Sequence, residues 1–315
     1  MNILNPWSLL MTLGCIASGT ACSMLRGNVE PLIASLCLLF AFFAQLAANV
    51  MHKYYLVDRY LKKFPDEARY LTFLDGVPIR TALTGMGKVF FVLSAMCGLS
   101  LMTMTTSWWI LIIGVLVWFF AYLAVCGKPV FTNSIPGLIL AFLTFGPLAI
   151  IGTSVVQTGV GAEGAVLNMF DLAPALYMSL IAGLMGMDCN IVYYFRNNDD
   201  PLNLSGDIVK RRFSRKAVRI FLLCTGILEM LVSAGVAYSI ANQGYEMIWI
   251  IVSASGGVAS LLFNLYVIAR LPENGSEMKK SLLIVLYAKM AIGGILALLH
   301  FAFLGLPNDN PKELF

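Results

Sequence analysis

"PLIASLCLLFAFFAQLAANVMHKYYLVD", residues 31–58, stays apolar for about twenty residues and then turns polar at His52-Lys53. A helix of about 20 apolar residues spans roughly 30 Å of hydrocarbon, so Pro31 to Met51 reads as a bilayer-crossing helix. The stretch Asn49-Val50-Met51-His52-Lys53 marks the level where lipid gives way to water. The rest of the chain repeats the pattern. Comparable runs lie at about 7–25, 88–105, 107–126, 135–156, 172–195, 217–240, 246–269 and 280–305, nine in all with the first.

Backbone polar groups in lipid must be satisfied within their own segment, so these runs are expected to be helices. The ten-residue alternation of a barrel is absent. Composition agrees: 59% of the 315 residues are hydrophobic and 12% charged. Soluble domains carry about 25% charged residues, so this chain is solvated mainly by lipid. The amino-terminal run lacks a basic leader and outlasts the apolar core of a signal peptide, so it reads as the first span.

The basic residues set the orientation. With the amino terminus inside, 18 of 21 Lys and Arg fall on inner loops and helix ends. Only Arg26 and Lys312 lie outside, and Lys289 sits within the last span. The positive-inside rule then predicts a protein of the cytoplasmic (inner) membrane, with its amino terminus cytoplasmic and its carboxyl terminus outside. The expected fold is all-α, one domain over residues 1–315, with nine helices around a cavity open to the cytoplasm. Two long basic inner connections, about 52–87 and 196–216, are expected to cap that cavity.

Seven cysteines are scattered through apolar runs without a CxxC or Cys/His cluster, which reads as small buried hydrophobes. GxSxG, P-loop and HExxH motifs are absent, as is any nucleic-acid signature. A transporter is disfavoured, because nine spans do not divide into equal inverted halves.

"GKPVFTNSIPGLILAFLTFGPLAIIGTSVVQTG" (127–159), "VPIRTALTG" (77–85) and "FAQLAANV" (43–50) carry a family likeness. The chain resembles the UbiA superfamily of intramembrane prenyltransferases, most closely the 1,4-dihydroxy-2-naphthoate prenyltransferases of menaquinone synthesis. That resemblance implies transfer of a polyprenyl chain from its diphosphate to an aromatic acceptor, with Mg2+ held by two acidic motifs. Magnesium is a hard cation that takes carboxylate and phosphate oxygens and stabilises charge on the leaving diphosphate.

Both acidic motifs are out of register. Aligned from Asn49, His52-Lys53 stand where the family has Asn-Asp, and the later aspartates fall on Leu56 and Tyr60. In the second motif Arg196 is retained, but Tyr193, Tyr194 and Asn197 replace two asparagines and an aspartate. The family's arginine before the first-span proline is replaced by Asn5.

Two functional classes follow. In one, a divergent transferase binds Mg2+ through displaced acids: Asp58, Asp188, Asp199, Asp200 or Asp207. In the other, no metal is used, and fixed cations hold a polyprenyl diphosphate, a quinone-like molecule or an anionic membrane lipid. The candidates for those contacts are Asn49, His52, Lys53, Arg80, Lys128, Tyr193, Tyr194, Arg196 and Asn197.

Three further polar groups lie within spans. Glu229 and Lys289 fall at matching depths in helices of the same direction, so a Glu229–Lys289 ion pair is expected. Asp188 is the acid expected to face the cavity. Asn264 and His300 are assigned to packing or the interface, and Gly146-Pro147 is expected to kink the fifth helix.

Overall fold

The computed structural model describes residues 6–24, 29–66, 72, 76–105, 108–125, 134–157, 173–197, 213–242, 247–273 and 277–304. Among these residues the chain forms helical rods with no strand beyond one isolated bridge, Thr72 to Pro78. In chain order they are α1 (Pro6–Met24), α2 (Pro31–Lys63), α3 (Ile79–Thr105), α4 (Trp109–Val125) and α5 (Ile135–Gln157). They continue with α6 (Ala173–Asn197), α7 (Arg215–Asn242), α8 (Met247–Arg270) and α9 (Lys280–Leu304).

Six of the described helices are long and apolar enough to cross a membrane: α2, α3, α5, α6, α7 and α9. Two shorter apolar stretches lie at Ser8–Ser23 and Trp109–Val125. Large apolar side chains point outward, among them Val92, Met96, Phe119, Ile220, Leu231 and Leu262. Water would not tolerate so continuous an apolar surface, so lipid surrounds the bundle.

Local chemistry sets the helix ends. Pro31 starts α2 at the position where a missing N–H costs nothing. Ser134 caps α5 by accepting from the Gly137 amide, with Pro136 in the first turn. Gly76 adopts φ +77° in the turn before α3, a conformation glycine enters without strain.

The α2 helix continues through "NVMHKYYLVD" to Lys63, and α3 begins at Ile79. The first connection is therefore shorter than the 52–87 segment expected from sequence, and His52–Asp58 are helical. Packing explains the extension. Val50, Tyr54, Val57 and Leu61 recur at helical spacing and close on Ile79 and Leu83 of α3. In α5, residues Thr144–Ile151 form a π-helix around Pro147, where a simple kink was expected. Proline removes one backbone donor, and the wider turn accommodates its ring.

The helices close into a ring. Neighbours pack from α1 through α2, then α3 and α4, then α5 to α9, and α9 returns to α1. The α1–α9 seam is tight: a Cβ on Gly294 would run into the Gly14 backbone, and one on Gly14 into the Met290 carbonyl. Small residues let helix backbones approach in this way in membranes. The largest buried core lies where α6, α7 and α9 meet α1 and α5.

Candidate functional site

A cavity of about 490 Å³ opens between α1, α2, α3, α4 and α5. Its lining runs from Cys37 to Ala48 on α2, from Phe91 to Met102 on α3 and from Ile110 to Ala121 on α4. At 1.5 Å per residue each run extends about 16 Å along the helix axes, so the cavity is a slot parallel to them. Phe91 and Trp118 form one wall edge to face, with ring centroids 4.5 Å apart.

Three of the few polar side chains lining the slot, Thr12, Gln45 and Thr144, donate hydrogen bonds within the protein. Thr144 Oγ1 donates to the Leu140 carbonyl at 2.7 Å, and Thr12 Oγ1 to the Ser8 carbonyl at 3.4 Å. Gln45 Nε2 donates to Asn49 Oδ1 at 3.1 Å, and Asn49 Nδ2 donates to Ser8 Oγ at 2.8 Å. The slot therefore presents hydrocarbon along most of its length.

Gln45, Asn49 and Lys53 stand four residues apart and form one stripe of α2. The stripe leads from the slot to the basic end of the bundle, with His52 beside it. The other candidates separate from this stripe. Arg80 Nη2 lies 2.5 Å from Asp58 Oδ1, and Lys62 Nζ lies 2.8 Å from Asp58 Oδ2. At 100° per residue Asp58 is half a turn round α2 from Asn49. Arg80 thus serves the α2–α3 seam, because its nearest acid is there.

On α6, Tyr194 is buried and stacks on Phe213 at 6.5 Å with planes 9° apart, so it belongs to the core. Tyr193 and Arg196 lie in the last two turns of α6. Lys128, Asp199, Asp200 and Asp207 lie outside the described residues, as does the side chain of Asn197.

Asp188 does not present a free carboxylate to the cavity. It is fully buried and accepts from Thr225 Oγ1 at 2.5 Å, Asn264 Nδ2 at 2.8 Å and Lys289 Nζ at 3.1 Å. Lys289 Nζ also lies 2.6 Å from Glu229 Oε2, so the pair expected from sequence is one edge of a larger cluster. Asn264 donates to Asp188 across helices, which gives it more than a packing role.

Magnesium needs several hard oxygen ligands converging on one point. Among the described residues, no group of three His, Cys, Asp or Glu side chains is placed to hold a metal. Asp58 and Asp188 are each bound up with basic partners. The described residues therefore do not fit a magnesium cage.

No family profile matches the sequence. No curated protein matches it either. Solved structures share the fold. A UbiA homologue from Archaeoglobus fulgidus, solved bound to GPP and Mg2+, superposes with a TM-score of 0.59 at 16% identity, over 96% of this chain and 98% of that one. A digeranylgeranylglyceryl phosphate synthase superposes with a TM-score of 0.55 at 15% identity, over 98% of this chain and all of that one. At such identities the likeness establishes a common architecture along nearly the whole chain.

Proposed function

We propose that this protein is a divergent member of the UbiA superfamily that binds a polyprenyl chain in the α1–α5 slot. The anionic head of that chain, a diphosphate, is held at the basic end by fixed cations, with Lys53 foremost. The observation that carries this reading is the unbroken Gln45–Asn49–Lys53 stripe joining an apolar slot to a basic rim. The shared architecture with a structure solved with GPP supports it.

Energetics divide the work. Lipid tails are as apolar as the slot, so moving a prenyl chain from bilayer to slot gains little affinity. The slot selects length and shape, and the head supplies the binding energy. A lysine gives a point charge and three donors, suited to a phosphate that has left bulk water. With the orientation that the basic loops favour, this rim would face the cytoplasm, where soluble diphosphates and acceptors arrive.

A second reading rests on a specific observation: the Archaeoglobus fulgidus homologue of the same architecture is solved with Mg2+ as well as GPP. In that reading the chain is an active transferase of the menaquinone type, with Asp199 and Asp200 supplying metal ligands and 1,4-dihydroxy-2-naphthoate as acceptor. Purified protein incubated with a polyprenyl diphosphate, 1,4-dihydroxy-2-naphthoate and magnesium separates the two. Binding without product supports the cation-held reading; magnesium-dependent product formation replaces it with the second.

A further inference from the structure

The strongest unexplained feature lies in the other half of the ring. Six side chains from four helices meet there: Asp188 of α6, Thr225 and Glu229 of α7, Ser260 and Asn264 of α8, and Lys289 of α9. None is more than 5% exposed. Lys289 spends its three donors on Asp188 Oδ2, Glu229 Oε2 and Asn264 Oδ1, at 3.1, 2.6 and 2.9 Å. Ser260 Oγ donates to Glu229 Oε2 at 2.5 Å.

Within the cluster, Asp188 Oδ1 and Oδ2, Glu229 Oε2 and Asn264 Oδ1 each have a donor. Glu229 Oε1 is buried and has none. The charges do not balance either. Two carboxyl groups face one ammonium, so full ionisation leaves one uncompensated negative charge in hydrocarbon. Such a charge costs far more than a neutral acid.

The missing positive charge falls to the one carboxyl oxygen of the cluster that accepts no hydrogen bond, because a proton there neutralises Glu229 without displacing a donor. We propose that Glu229 Oε1 binds a proton, so that the cluster is a one-proton site composed of an ionised Asp188, a charged Lys289 and a neutral Glu229 carboxyl. Asp188 is the ionised partner because it accepts from three donors, whereas Glu229 takes two, both on one oxygen. The nearby titratable groups agree with this assignment. Helix α6 brings Asp188 and the buried Cys189, α9 brings Lys289, and α8 brings only the uncharged Ser260 and Asn264. The proton thereby joins α6, α7, α8 and α9 through a single neutral cluster. This inference is independent of what the slot binds.

Difference infrared spectroscopy of the full chain in lipid at neutral pH tests it, read at the protonated-carboxyl stretch during exchange into heavy water. The wild type is expected to show a buried carboxyl band that Glu229→Gln removes. Glu229→Gln, which keeps the site neutral, is expected to retain a melting temperature within a few degrees of wild type. Asp188→Asn places an amide among three donors and is expected to melt much lower. If Asp188→Asn does not fold, the wild type and Glu229→Gln still decide. Absence of the band, its survival in Glu229→Gln, or a stability set by sodium against potassium at fixed ionic strength would overturn the proton assignment.

Discussion

Among the described residues, the two halves of the ring solve opposite problems with the same kind of helix. Among α1 to α5 the chain leaves a void of about 490 Å³ and lines it almost wholly with apolar groups. Among α6 to α9 it gathers three ionisable side chains, each no more than 3% exposed, and satisfies nearly every polar atom. One half forgoes packing and leaves an open apolar space. The other accepts the desolvation of charge, which suits a part of the molecule that must hold one arrangement.

That contrast is broken most severely by Lys289→Met. Removing the ammonium leaves two carboxyls buried without a cation, an expected loss of about 3–5 kcal/mol. Thermal unfolding of the variant in detergent or lipid checks it, and a melting temperature like wild type would mean that the cluster does not bind the half together. Next comes the seam that joins the halves. Gly294→Ala pushes a methyl into the Gly14 backbone and is expected to cost about 1–3 kcal/mol, again read by melting.

The slot should respond in the reverse sense. Ala95→Phe fills space rather than removing contacts, so stability is expected to change little. Binding of a polyprenyl diphosphate is expected to weaken tenfold or more, about 1.4 kcal/mol. Equal binding by wild type and variant would place the guest elsewhere. The smallest effect belongs to Asp58→Asn. Its partners Lys62 and Arg80 have side chains 75% and 50% exposed, so the loss is expected to be about 0–1 kcal/mol. A larger loss would show that Asp58 ties α2 to α3 more firmly than its exposed partners suggest.

Much of this was legible in the residues because membrane solvent leaves so few choices. Apolar runs of span length became helices, and depth matching brought Glu229 towards Lys289, which lie 2.6 Å apart at their charged ends. Asp188 was harder to place, because it joins Lys289 from a helix 101 positions away and nothing local in its sequence signals that. Asn264 and Ser260 look like ordinary small polar residues of a span until three other helices surround them. The continuation of α2 was present in the spacing of Val50, Tyr54, Val57 and Leu61, but the charges among them suggested a loop. Pro147 announced an irregularity in α5 without saying that it would be a π-helix. The slot was invisible, since a void is what several helices together fail to fill.

The central claim is that a polyprenyl diphosphate lies in the slot with its head on Lys53 rather than on magnesium. Equilibrium binding of a radiolabelled polyprenyl diphosphate to the purified protein, with chelator and with magnesium, tests it directly alongside Lys53→Ala. The account predicts binding that survives chelation and falls at least tenfold in the variant; binding that appears only with magnesium and ignores Lys53 would contradict it.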